Sequence, residues 1–188
     1  MEEQAGLVLK VVVVQGKRLV IRDFKSSDPY VVLKLGNQNQ QYAHEVLINL
    51  ICPHLGQYCT VKTKVINSCL NPVWNEELTL KLTEPAGVLN LEVYDKDRFK
   101  ADDKMGHAHI SLQPLVSAAR LRQILGVSTE GETLRKVIPD SDNCLAVESC
   151  INYKDGEVVQ DVWLRLSGVE SGEIELKIKC KNLHVASH

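Results

Sequence analysis

Residues 93–106 read VYDKDRFKADDKMG. Asp95, Asp97, Asp102 and Asp103 fall within nine residues, directly after an alternating run, Leu89, Leu91 and Val93, that reads as a strand. Two unit charges about 4 Å apart repel by about 4 kcal/mol at a surface-like dielectric. A loop that gathers carboxylates is therefore unfavourable unless a cation neutralises it. An all-oxygen donor set on a flexible loop suits Ca²⁺, which takes about 6–8 oxygen ligands. Asp95–Gly106 spans twelve residues, yet it is no EF-hand. Its fifth position is Phe99, its turn glycine would be Lys100, and its closing bidentate acid would be Gly106.

The missing carboxylates lie upstream, in Arg22-Asp23-Phe24-Lys25-Ser26-Ser27-Asp28-Pro29-Tyr30. Two acidic loops, each leaving a strand, meet at one end of a β-sandwich in this reading. The alternative is two solvated acidic turns. Strands are expected at Leu7–Gln15, Tyr30–Leu35 and Thr63–Asn67. Further strands run from Trp74 through Leu82, over Leu89–Tyr94 and over Gly106–Leu112, where Ala108, Ile110 and Leu112 share a face. Gly16, Gly36 and Asn71-Pro72 punctuate them, giving the run of short strands with turn signals at regular spacing that a β-sandwich requires.

The chain has 188 residues, 44% of them hydrophobic, and a formal net charge of −2. That balance suits one domain with a good core and excludes general nucleic-acid binding. The run Leu7–Val14, interrupted by Lys10, is too short to span a bilayer. No basic n-region or small-residue cleavage site precedes it, so no signal peptide is read. Six irregularly spaced cysteines (52, 59, 69, 144, 150 and 180) are then expected as reduced thiols in the cytosol.

Ser27-Asp28-Pro29-Tyr30, Asn71-Pro72-Val73-Trp74-Asn75-Glu76, Tyr94-Asp95-Lys96-Asp97 and Asp103-Lys104-Met105-Gly106 occur in that order, and together they resemble a C2 domain. The tail narrows the likeness. Asn143-Cys144-Leu145-Ala146, the stretch Gln160–Leu166 and the stretch Ser171–Leu176 are similar to the plant C2-domain ABA-related proteins. The resemblance implies an eight-stranded antiparallel sandwich of type II topology, with a short helix and a β-hairpin between strands 6 and 7. The domain would cover 1–182, with a family-specific segment at 113–160 and a tail at 183–188. It implies Ca²⁺-dependent binding to anionic phospholipid and recruitment of PYR/PYL abscisic-acid receptors to the plasma membrane. The alternative it carries is an interaction protein that stimulates an Obg-like NTPase. The expected location is the cytoplasm, peripheral at the plasma membrane when calcium is bound, with the nucleus as a further compartment.

By motif position, Asp23, Asp28, Asp95, Asp97 and Asp103 match the five calcium aspartates of C2 domains, and the carbonyls of Arg22 and Lys96 match the backbone ligands. Two or three ions would be held. Asp102 sits one residue early and is left out. Both phenylalanines of the chain, Phe24 and Phe99, fall in these loops beside Lys25, Arg98 and Lys100. They read as a membrane-inserting tip, against the alternative that each ring folds back to brace its loop. Lys62 and Lys64 share a sheet face. In conventional protein kinase C domains a similar Lys-Thr-Lys strand binds phosphoinositide; Val32 and Asp102 depart from the polar partners used there, and solvated strand lysines are the alternative.

The departure from the family is Asn39–Val61, an insertion of about two dozen residues. Tyr42, Val46, Leu50 and Ile51 fall near helical spacing. His44, Cys52, His54 and Cys59 match no standard zinc-finger spacing. Pro114–Leu125 is expected to be a helix packed on the sandwich through Leu115, Val116, Ala119 and Leu121. Lys154-Asp155-Gly156 reads as a hairpin turn between Cys150–Tyr153 and Glu157–Asp161. Helix and hairpin are read either as a partner-recognition element or as structural support. Trp163 is expected to pack against the core. No base or nucleophile accompanies the acidic loops, and His107 and His109 merely flank a strand, so the chain is read as non-enzymatic.

Overall fold

A computed structural model describes residues 7–36, 59–82, 86–125, 131–141 and 143–182. In chain order the elements are β1 (Leu7–Lys17), β2 (Pro29–Gly36), β3 (Cys59–Lys62), β4 (Val73–Leu82), β5 (Val88–Asp95), β6 (Asp103–Ser111), α1 (Gln113–Leu125), β7 (Thr133–Val137), β8 (Ser149–Lys154), β9 (Glu157–Arg165) and β10 (Glu173–Asn182). They form two antiparallel sheets, ordered β4-β1-β10-β9-β8-β7 and β3-β2-β5-β6. The eight expected sandwich strands are β1–β6, β9 and β10. Strands β7 and β8 widen one layer.

Side chains alternate across each strand with period two, and this sorts the apolar residues inward. Leu9, Val11 and Val13 of β1 are fully buried, as are Ile174, Leu176 and Ile178 of β10. They meet Leu33 of β2, Leu91 and Val93 of β5, and Met105 of β6 across the layers. β1 lies between β4 and the last strand, β10, hydrogen-bonded to both, as type II topology requires. The helix buries Leu115, Val116 and Ala119.

Several expectations are corrected. Leu121 is exposed, because at 3.6 residues per turn the position after Ala119 on the buried stripe falls to Arg122. The Arg122 guanidinium lies over the Tyr153 ring at 3.2 Å from its centroid. The third strand is Cys59–Lys62 rather than Thr63–Asn67. The Thr63 hydroxyl accepts the Val31 N–H at 3.0 Å, replacing a main-chain acceptor, so the ladder stops at Lys62. Cys59–Val61 therefore belong to the sheet, paired with Leu33–Leu35, and are not part of a loop. The expected helix near 42–51, with His44, Cys52 and His54, lies outside the described residues.

Trp163 is the third correction. Val162 and Leu164 point into the core, so Trp163 between them faces outward, where the Lys17 ammonium sits 4.1 Å from its ring centroid. The hairpin turn is present at Asp155-Gly156, with φ of 51° and 79°, the left-handed pair of a type I′ turn. Its second arm runs without a break through Trp163 to Arg165. The cysteines among the described residues are free thiols. Among the described residues no helix is long and apolar enough to cross a membrane.

Candidate metal-binding site

Strand register brings the two acidic loops together. Pro29 pairs with Asp95, and Asp95 pairs with Asp103, so the β1–β2 and β5–β6 loops open at the same end. Two bonds lock them. The Asp28 N–H donates to Asp95 Oδ1 at 2.5 Å, and the Lys96 N–H donates to the Asp28 carbonyl at 3.0 Å. Fully buried Ser27 ties the first loop to itself, accepting from the Arg22 N–H and donating to the Val20 carbonyl. Arg22 Nε donates to the Lys104 carbonyl at 2.9 Å, which straps the first loop to β6. The segment after β3 braces the same corner, with the Ser68 N–H donating to Asp28 Oδ1 at 2.7 Å.

Asp95 is 1% exposed, and its Oδ2 has no hydrogen-bond partner. Burial raises its carboxyl above the ordinary carboxylate value; the Asp28 N–H opposes that shift, and the charges of Asp23 and Asp28 add to it. Asp97 Oδ2 is likewise buried without a hydrogen bond among the described residues, and Lys100 Nζ approaches it at 3.5 Å. Buried polar atoms are nearly always paired, so two orphaned carboxylate oxygens in one loop cluster call for a cation. Hard anionic oxygens fit Ca²⁺ in kind.

Their positions in this structure are not those of a closed coordination shell. Among the described residues no three His, Cys, Asp or Glu side chains converge to ligating distance. Asp28 and Asp95 are joined through the backbone bond, Lys100 bridges Asp97 and Asp103, and Asp23 stands exposed on its own loop. Lysine ammonium groups take up the carboxylates instead. Lys100 Nζ lies 2.7 Å from Asp103 Oδ2, and Lys96 Nζ lies 3.0 Å from Asp102 Oδ1.

Asp102 is the residue that sequence reasoning set aside, and it is a brace. It accepts from the Tyr30 hydroxyl at 2.6 Å, from Lys96 Nζ and from the Asp97 N–H at 3.1 Å. The Tyr30 bond, more than the Lys96 charge, holds its carboxyl below the ordinary value against the opposing effect of burial. Tyr30 in turn pairs with Tyr94, and their rings stack at 5.7 Å.

Phe24 is 93% exposed and Phe99 is 99% exposed. Neither ring folds back on its loop. Lys25 Nζ sits 5.6 Å from the Phe24 ring centroid, and Arg98 and Lys100 are exposed on either side of Phe99. Lys62 and Lys64 both face solvent around buried Thr63, and Lys62 Nζ lies 5.9 Å from the Tyr30 ring centroid. Lys64 stands just past the end of β3, where its carbonyl accepts from Trp74 Nε1.

A four-stranded sheet facing a sheet with β1 beside the last strand, and two acidic loops at one end, define a C2 domain. The C2 domain family model matches residues 7–127. A C2 domain of plant Extended Synaptotagmin 1 has the same fold, with a TM-score of 0.53 at 20% identity, covering 97% of this chain and 99% of that one. The calcium-bound pair of C2 domains of Extended Synaptotagmin 2 gives a TM-score of 0.55 at 21% identity, over 94% of this chain and 46% of that one. Protein C2-DOMAIN ABA-RELATED 11 of Arabidopsis thaliana is 62% identical over 179 residues, 95% of each chain. GTPase activating protein 1 of Oryza sativa is 44% identical over 174 residues, 93% of this chain and 90% of that one. The chain belongs to the C2-domain ABA-related family.

Proposed function

We propose that this protein is a calcium-gated adaptor that attaches to anionic phospholipid through its two acidic loops. The observation that carries the reading is the pair of buried oxygens without a hydrogen bond among the described residues, Asp95 Oδ2 and Asp97 Oδ2, between loop tips where Phe24 and Phe99 are exposed. The carboxylates of Asp23, Asp28, Asp95, Asp97 and Asp103 and the carbonyls of Arg22 and Lys96 would hold two to three ions. Bound calcium would supply positive charge and so reverse the sign of the local field. Phe24 and Phe99 enter the lipid, each contributing about 1.5–3 kcal/mol on burial. Lys25, Arg98 and Lys100 each add about 1 kcal/mol at an anionic surface. These terms together give reversible attachment. Lys62 and Lys64 are assigned to phosphoinositide headgroups.

In this reading the domain, residues 1–182, moves between the cytoplasm and the plasma membrane, with the nucleus a further compartment. Its cargo is a PYR/PYL abscisic-acid receptor, a reading supported by membership of a family whose members are named ABA-related. Segment 113–160 would form the recognition surface. Sedimentation with phosphatidylserine vesicles across a calcium series tests the membrane part. Calcium-dependent pelleting is expected, and pelleting indifferent to calcium would overturn it.

The second reading is stimulation of an Obg-like NTPase, with this chain as a non-enzymatic activator; the rice relative named as a GTPase activating protein favours it. Turnover of the NTPase with and without this protein separates the two readings, since an adaptor leaves that rate unchanged.

A further inference from the structure

We propose that Lys100 is a tethered counter-cation, which closes the acidic cup in the metal-free protein and is driven out towards the lipid surface when a divalent cation enters. The proposal rests on the metal-binding reading above. Lys100 Nζ lies 2.7 Å from Asp103 Oδ2 and 3.5 Å from Asp97 Oδ2, so one ammonium spans two assigned ligands. Asp97 Oδ2 is one of the two orphaned oxygens, and 1%-exposed Asp95 supplies the other. A metal ion and the ammonium therefore compete for the same oxygen atoms.

The two loop lysines differ in kind. Lys96 holds Asp102, which Tyr30 and the Asp97 N–H hold as well, so displacing Lys96 leaves that corner intact. Lys100 is the only ammonium among the described residues on Asp97 and Asp103, and its side chain is 58% exposed. Its stem already reaches the surface beside fully exposed Phe99. Released, the ammonium stands at the loop tip, where lipid phosphates would meet it. Lys100 thus has two successive partners, carboxylate and then phosphate. It raises the calcium concentration needed for loading and adds to the charge of the loaded face.

The test is calcium titration calorimetry on the full chain, comparing the wild type with Lys100→Met, Lys100→Arg and, as a charge-matched control, Lys25→Met. Lys100→Met should bind calcium about tenfold more tightly, a difference of about 1.4 kcal/mol. Part of that gain should survive about 0.5 M salt, because groups in direct contact at 2.7 and 3.5 Å are screened less than charges farther apart. Lys25→Met should show a smaller gain that salt abolishes, and Lys100→Arg should match the wild type. In parallel, a pulse of acetic anhydride should acetylate Lys100 of the wild type faster once calcium chloride is added, and acetylate Lys25 only slightly faster, a difference that about 0.5 M salt removes. This arm decides the matter if Lys100→Met fails to fold. Equal calcium affinity in the wild type and Lys100→Met, or unchanged Lys100 acetylation while calcium binds, overturns the proposal. A folded wild type that takes up no calcium instead overturns the metal-binding reading on which it stands.

Discussion

The hydroxyl of Tyr30 donates to Asp102 Oδ2 at 2.6 Å, joining the strand that follows one acidic loop to the far end of the other. The bond pushes the two groups apart in titration. Burial first, and then Asp102, raise the Tyr30 phenol well above its usual value, while Asp102 is held below the carboxylate range. A depressed carboxyl stabilises the fold above its unfolded pKa and loses that contribution as pH falls through the folded value. Tyr30→Phe should therefore lower stability near neutral pH by about 1.5 kcal/mol, the scale of a hydrogen bond to a charged group. The deficit should shrink in acid strong enough to protonate Asp102. Urea unfolding of both proteins at the two pH values checks it, and an equal deficit at both would show that the charge of Asp102 contributes nothing to the bond.

A second prediction concerns Gly106, which closes the motif Asp103-Lys104-Met105-Gly106. Its φ is +113°, and an added Cβ would lie 2.8 Å from Val169 Cγ2 and 2.9 Å from Leu166 Cβ. The neighbouring His107 exchanges backbone bonds with Ser167 at 3.1 and 2.7 Å, so β6 cannot simply retreat. Gly106→Ala should cost about 3 kcal/mol or more, from backbone strain and overpacking together. Gly131 is the control, since its φ is +79° and nothing among the described residues lies within 4 Å of an added Cβ. Gly131→Ala should cost only the strain, about 1–2 kcal/mol. Denaturant midpoints decide between them, and similar losses at the two sites would show that packing at Gly106 is unimportant.

The sequence was legible wherever one face of a strand is buried. Leu89, Leu91 and Val93 alternate because period two leaves no other way to face the opposite layer, and the strand register then brings the acidic loops together. It was less legible where a side chain replaces a backbone partner. The Thr63 hydroxyl ends β3 early, a choice that no hydrophobic pattern encodes. Trp163 misled because its size suggests burial, whereas its strand parity, set by Val162 and Leu164, points it outward. β7 went unseen because Thr133–Val137 is mostly exposed and carries Arg135 and Lys136. The five candidate ligands share one end of the molecule, but the ammonium groups that take up their oxygens depend on side-chain reach.

The inserted segment yields a third prediction. Leu35 pairs with Cys59, so the chain leaves and re-enters the sheet at adjacent positions. Asp95 pairs with Pro29, at the other end of β2. Deleting residues 39–58 leaves Gly36, Asn37 and Gln38 to close a three-residue hairpin loop, a common length. Loop-closure entropy changes slowly with length, so the fold should tolerate the cut. Calcium affinity by calorimetry should match the full chain within about twofold, or about 0.4 kcal/mol. A deletion that reaches Val61 should instead destabilise the protein, because it removes most of β3. A much weaker calcium affinity in the 39–58 deletion would show that the segment reaches the acidic end.

The final prediction separates coordination from repulsion. Asp95→Asn with Asp97→Asn removes two anionic oxygens while nearly preserving shape. If acidic loops merely repel lipid, this variant should bind anionic vesicles better without calcium and equally well with it. If the carboxylates hold calcium, the calcium-dependent part of binding should vanish, because the orphaned oxygens Asp95 Oδ2 and Asp97 Oδ2 are the ones removed. The metal-free variant should also melt higher than the wild type, since burial and the charges of Asp23 and Asp28 oppose an ionised Asp95. Phe99→Ala should act on the other half of the attachment. Its calcium binding in solution should be unchanged, while vesicle affinity falls by up to about 2 kcal/mol, or about thirtyfold. Vesicle sedimentation with and without calcium, alongside calorimetry without lipid, reads both variants. A double-Asn variant that still pellets only when calcium is added would remove these aspartates from the switch.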